Sequence, residues 1–129
     1  ILDLLTWMHQ NKVDYTNTFC FLMNEEAGDI KIYKDENFLI WKKRWQERML
    51  LNNGKTEKCL DLMKSVNPFV IPRNHIVEEV LLAANNNDLT LFNKFIKVLE
   101  KPYQNQKNTS DFQLPASSGN KKYQTFCGT

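Results

Sequence analysis

Apolar residues recur through most of this chain at intervals of three and four, the spacing of one face of an α-helix. The repeat is present from the start, where Ile1-Leu2-Asp3-Leu4-Leu5-Thr6-Trp7-Met8 reads as the later turns of a helix already under way. A chain that opens inside a helix is expected to be part of something larger, with an apolar face that belongs against a missing partner. A second helix is expected after Asp14-Tyr15-Thr16, capped by Thr16 or Asn17 and carrying Phe19, Leu22 and Met23 inward. Gly28-Asp29 should break it. Ile30-Lys31-Ile32-Tyr33 alternates as a short strand or an extended connector would.

The third helix has the clearest pattern. Asp35 stands before Phe38, Trp41, Trp45 and Arg48/Met49, which follow one helical face, so both tryptophans are expected in the core. Asn52-Asn53-Gly54 should close it. A fourth helix is expected from Thr56, with Cys59, Leu60 and Met63 inward, stopping before Asn67-Pro68 because the residue before proline avoids the α conformation. A fifth follows Pro72, with Asn74 as its cap, Glu78 and Glu79 favouring its early turns, and Ile76, Val77, Val80, Leu81 and Ala84 buried. Asp88 should cap a sixth helix with Phe92, Phe95, Ile96 and Leu99 on its face, ended by Lys101-Pro102. The expected fold is therefore all-α: about six helices in an irregular bundle over 1–102. Residues 103–129 are expected to form an extended, mostly non-helical carboxy-terminal tail pinned at Tyr103, Phe112, Tyr123 and Phe126.

Composition adds boundaries more than direction. The 129 residues are 42% hydrophobic and 25% charged, ordinary values for a globular protein. A net charge of +2 is too small an excess to argue for nucleic acid or acidic substrates. No apolar run approaches the roughly 20 residues needed for a membrane-spanning helix. Cys20, Cys59 and Cys127 are too few and too scattered for a disulfide framework, and no C-x-x-C suggests a zinc site.

Little in the chain resembles catalytic machinery. His9 and His75 lie in no metal-binding spacing. The glycines, Gly28, Gly54, Gly119 and Gly128, are isolated, so nothing forms a phosphate-cradling loop and no ATP site of kinase type is expected. Trp41-Lys42-Lys43-Arg44-Trp45 places cations beside aromatics, as nucleic-acid contacts do. The helical spacing instead favours a core face with a solvated cationic back, and nucleic acid is not expected as a partner. Cys127, between Phe126 and Gly128 near the end, is the one thiol around which no core can close on the carboxy side, so it can reach a partner thiol.

One run is more specific. Asn67-Pro68-Phe69-Val70-Ile71-Pro72-Arg73-Asn74-His75-Ile76-Val77-Glu78-Glu79 is followed by Ala83-Ala84, Asn87-Asp88, Lys101-Pro102-Tyr103 and a cysteine third from the end. This order resembles the carboxy-terminal part of the selenoprotein O family, as do Asp14-Tyr15-Thr16 with Phe19 and Trp41…Trp45…Arg48. The resemblance implies a parent protein adenylyltransferase of pseudokinase-like fold. Such an enzyme binds ATP in a flipped orientation and, with magnesium, transfers AMP to Ser, Thr or Tyr hydroxyls of protein substrates. Its ATP and metal residues would lie upstream, so this segment would hold no cofactor and would pack on the upstream kinase-like lobe. Cys127 would match the family's terminal redox residue, although Gly128-Thr129 replaces the usual Ser-Ser ending. Arg73, Asn74 and His75 would form an interdomain contact, the guanidinium holding carbonyls or a carboxylate across the junction. Pro72 stands where the family usually has an aliphatic residue. The implied location is the bacterial cytoplasm, or a mitochondrion in a eukaryotic source. The competing expectation is a free-standing α-helical interaction module binding nucleic acid through Lys42, Lys43 and Arg44.

Overall fold

A computed structural model describes residues 1–24, 30–51 and 56–116. The described residues form seven α-helices and one 3-10 turn, with no strand among them. The chain divides into two compact units, Ile1–Phe69 with Pro102–Asn105, and Val70–Lys101 with the residues from Gln106 onward.

The first unit is organised around aromatic rings. Helix α1 (Leu2–Gln10) buries Leu4, Trp7 and Met8, an i, i+3, i+4 set. It ends without glycine. Lys12 takes up the left-handed conformation (φ 53), letting Val13 N donate to Met8 O (2.9 Å) and Lys12 N to His9 O (3.3 Å). A lysine there carries the Cβ penalty that glycine escapes. Lys12→Gly is therefore expected to raise stability by about 0.5–1 kcal/mol, after the entropy glycine adds to the unfolded chain. A urea midpoint that stays level or falls would show that this turn carries no such penalty.

Helix α2 (Tyr15–Asn24) starts two or three residues earlier than expected. Its cap is Asp14, whose Oδ1 accepts from Asn17 N (2.8 Å), and neither Thr16 nor Asn17 serves that role. Asn17 is instead buried. Six residues of α2 are buried, Cys20 and Phe21 among them, while Phe19 is only half-buried beside Tyr15. A helix covered on several sides needs no narrow stripe. The expected break at Gly28-Asp29 lies outside the described residues.

Where a strand or extended connector was expected, Ile32–Lys34 winds into a 3-10 turn that carries Tyr33 inward. Its ring stacks on Phe21 at 4.0 Å and 10°, and its hydroxyl shares a buried hydrogen bond with Thr18 Oγ1 (3.3 Å). Asp35 then begins α3 (Glu36–Leu50), accepting from Phe38 N (3.1 Å) as its spacing predicts. The same Oδ1 accepts from Trp7 Nε1 at 2.7 Å, tying α1 to α3. Phe38 is fully buried, with its ring centroid 4.7 Å from that of Trp7, 5.2 Å from that of Tyr33 and 5.9 Å from that of Phe21.

Trp41 and Trp45 depart from the core expectation. They stack on one another (6.0 Å, 10°) but are only half-buried, because the unit's closed interior ends at Phe38 and Met49. Asn52-Asn53-Gly54, expected to close α3, lies outside the described residues. Helix α4 (Thr56–Val66) presents Cys59, Leu60 and Met63 inward as expected, yet none of its residues is fully buried. Asn67 closes it, with both its N and its Nδ2 donating to Met63 O.

The second unit is built on the helical hairpin of α5 (Asn74–Asn85) and α6 (Thr90–Leu99). Ile76 and Val80 of α5 are buried, but Leu81, expected inside, is exposed, and Glu78 and Glu79 fall in the second turn. Asn87 is left-handed (φ 63), so that Asp88 N reaches Ala83 O and Asn87 N reaches Ala84 O, both at 3.0 Å. Leu89 and not Asp88 holds the cap position of α6, but Asp88, one residue earlier, still closes the first turn, its Oδ1 accepting from Thr90 N (2.9 Å). That bond, followed by one from the Thr90 hydroxyl, holds the Asp88 carboxyl below its usual range. This closure is therefore complete at neutral pH and is lost only as the pH falls through the lowered value.

On α6 the buried residues are Phe95 and Val98; Phe92 and Ile96, expected inside, are largely exposed. Gln106 closes this helix from beyond, its Nε2 donating to Val98 O and Lys101 O (2.9 Å each). The tail is not extended throughout. Ser110–Gln113 forms a one-turn helix, α7, which buries Phe112 against Phe95 (5.2 Å) beneath Lys94 Nζ. Phe112 is thus the pinning point expected of it, while Tyr103 is half-exposed. Tyr123 and Phe126 lie outside the described residues.

Candidate functional site

The segment from Asn67 to His75, singled out by its sequence, serves two different purposes. Its first half is a seam of the first unit. Asn67 caps α4, Pro68 O accepts from Cys20 Sγ (3.6 Å), and Phe69 N donates to Pro102 O at 2.7 Å. The Asn-Pro and Pro-Tyr motifs, 34 positions apart, are thus joined by one short backbone bond. Phe69 is buried and its amide is spent on Pro102 O, so this seam carries structure.

The second half begins α5. Arg73 is extended (φ −77, ψ 132), and its carbonyl accepts from Ile76 N and Val77 N. Asn74 is therefore the first helical residue and not the cap, because the position before it already supplies the first helical acceptor. Asn74 is exposed, whereas Arg73 and His75 are half-buried. Consecutive helical residues diverge by about 100°, so these three side chains do not converge on one point. His9 is exposed in the last turn of α1, far along the chain from any second histidine ligand.

Cys127 lies outside the described residues. Of the other thiols, Cys20 is buried and Cys59 half-buried, and neither is in a disulfide. Among the described residues no three His, Cys, Asp or Glu side chains gather as a metal site requires. The described residues do not fit a magnesium–nucleotide centre.

Two of the three cations in the Trp41–Trp45 run are engaged within the first unit. Lys42 Nζ sits 5.2 Å from the Phe21 ring centroid, and Arg44 Nη2 pairs with Asp3 Oδ2 at 2.8 Å. Both partners of that ion pair are mostly exposed, so it orients α3 against α1 more than it stabilises the fold.

A groove of about 530 Å³ opens in the first unit between α2, α3 and α4. Its apolar walls are Leu22, Met23, Trp45, Met49, Leu50 and Leu60, and Lys42, Gln46 and Thr56 supply polar groups at its rim. Such a lining can seat an apolar side chain but offers no paired nucleophile and base. Sequence reasoning did not find it. Its residues come from three helices, and each on its own reads as ordinary core.

A family model described as protein adenylyltransferase SelO matches residues 1–100. Proteins called protein nucleotidyltransferase YdiU align with the chain from end to end: 49% identity in Pelagibacter ubique and 42% in Alcanivorax borkumensis, each over 100% of this chain. A third, from Syntrophotalea carbinolica, is 42% identical over 98% of it. These alignments take in 27%, 27% and 26% of the relatives, so the chain spans about a quarter of their length. No solved structure matches it. Among the described residues, no helix is long and apolar enough to cross a membrane. With the match running from α1 to the end of α6, and identities of this level along the whole length, the chain belongs to the protein adenylyltransferase SelO family.

Proposed function

We propose that this chain is the non-catalytic carboxy-terminal helical segment of a SelO-type protein adenylyltransferase. In this reading a kinase-like lobe upstream binds ATP and magnesium and transfers AMP to Ser, Thr or Tyr hydroxyls of other proteins. The helical segment packs on that lobe, with Arg73, Asn74 and His75 near the junction. Cys127 acts as a redox partner for a thiol elsewhere in the full-length protein, in a bacterial cytoplasm. The observation that carries the reading is the end-to-end match to about a quarter of proteins called nucleotidyltransferases. The sequence itself supplies no phosphate loop. The competing module that would bind nucleic acid through Lys42, Lys43 and Arg44 is disfavoured by the engagement of Lys42 and Arg44 within the fold.

With labelled ATP and magnesium, the 129-residue chain is expected to transfer no AMP, and a full-length protein containing it is expected to label an acceptor protein. Transfer by the pure chain at the full-length rate would overturn the assignment. In the full-length protein, Cys127→Ser should remove any dependence of transfer on oxidant. An unaltered oxidant response would reduce Cys127 to a bystander.

A further inference from the structure

Helix α6 carries more apolar surface than the described residues of its unit cover. Six of its ten residues are apolar (Leu91, Phe92, Phe95, Ile96, Val98 and Leu99), yet only Phe95 and Val98 are buried. Leu89, Phe92 and Ile96 follow one another at intervals of three and four, so they form a single stripe about 10 Å long. They remain 54%, 37% and 42% exposed. All three, and everything else in the hairpin, lie among the described residues. An amphipathic helix normally matches its apolar arc to the surface that covers it, and a contiguous uncovered remainder marks a contact site.

We infer that the Leu89–Phe92–Ile96 stripe is the docking face for the remaining three-quarters of a SelO-type chain, an inference that rests on the function proposed above. Three observations favour this occupant. The chain accounts for only 27% of its relatives' length, so a tethered partner of several hundred residues exists in those proteins. The family match extends through residue 100 and so includes the whole of α6. The stripe is also too small for a free partner. A stable dimer buries about 800 Å² per subunit, far beyond three part-exposed side chains. A segment of the same polypeptide needs much less, because the tether supplies the effective concentration. Nucleic acid is a poor occupant, since the stripe itself is apolar and, of the two lysines on α6, Lys94 lies over Phe112.

The test compares thiol accessibility in two settings. Ile96→Cys and, as a control, the exposed neighbour Lys97→Cys are each placed in the 129-residue chain. Both are also placed in a full-length chimera, in which this chain replaces the matching part of the Pelagibacter ubique relative. Maleimide labelling is read peptide by peptide. In the short chain both cysteines should label rapidly; in the chimera Ile96→Cys should slow by about tenfold or more while Lys97→Cys does not. Equal rates at position 96 in the two settings would overturn the docking face. If the chimera nevertheless transferred AMP, the proposed function would stand without it. Slowing at 96 in a chimera inactive toward ATP would uphold the face and count against the function. Protection in the short chain that grows with its concentration would assign the stripe to a second copy, and so overturn the inference. Should the chimera not fold, the same pair is placed at the aligned positions of the relative's own chain and judged by the same criterion.

Discussion

Phe38→Ala is expected to lower the stability of the first unit by about 3–5 kcal/mol, the usual cost of emptying a fully buried phenylalanine site. The ring touches no solvent and lies among Trp7, Phe21, Tyr33 and Trp41, which come from α1, α2, the 3-10 turn and α3 itself. Four rings from separate elements cannot all move into the space a lost phenyl leaves, so the cavity should persist. Small domains hold about 5–15 kcal/mol in total, so this change alone removes about a fifth of the stability or more. All three tryptophans, Trp7, Trp41 and Trp45, belong to the first unit, so urea unfolding followed by fluorescence reports on that unit selectively. A loss below about 1 kcal/mol would mean that the ring cluster is not the core of this unit. Phe38→Leu, which keeps most of the volume, should cost less than about 1.5 kcal/mol.

Asp35→Ala should cost about 2–4 kcal/mol, because one carboxylate oxygen does two jobs. It caps α3 through Phe38 N and satisfies the indole N–H of the buried Trp7. Losing a cap costs about 1 kcal/mol, and an orphaned buried donor about 1–3 kcal/mol more. Asp35→Asn keeps an acceptor oxygen at the same place and should retain most of that stability. If the asparagine variant is as unstable as the alanine one, the carboxylate charge and not the acceptor geometry holds the two helices together. The indole N–H resonance of Trp7 gives a second readout, since it should shift in the alanine variant.

What the sequence made legible were the events settled by neighbouring residues. Asp35, Asn67-Pro68 and Asp88 act within four positions of themselves; the first two stand where their spacing predicts, and Asp88 lies one residue before the cap it was expected to be. Helix α2 shows the limit of such reading. Asp14, Thr16 and Asn17 can all cap, and the choice of Asp14 sends Asn17 into the interior. Burial was harder to read than helicity. Periodicity locates the centre of an apolar arc, whereas its covered width depends on elements distant in sequence. Hence Phe38 is sealed while Trp41 and Trp45, on the same face, are half out, and Val98 takes the inner place expected for Phe92 and Ile96. The 3-10 turn at Tyr33 was hidden for a similar reason: a buried hydrogen bond and a stacked ring override the local alternation. As for the site, the Asn67–His75 run was visible as a motif. Its division into a backbone seam and a helix start depends on Pro102, 34 positions from Pro68, and no local rule could supply that.

Asp88 holds both ends of the α5–α6 connection at once, giving its amide to α5 and its carboxylate to α6. An inserted or deleted residue there would shift the two attachments out of phase together, so this linker should tolerate substitution far better than a change in length. Its contacts span only a few positions, which makes closing the hairpin entropically cheap and places it among the earliest steps as the chain folds.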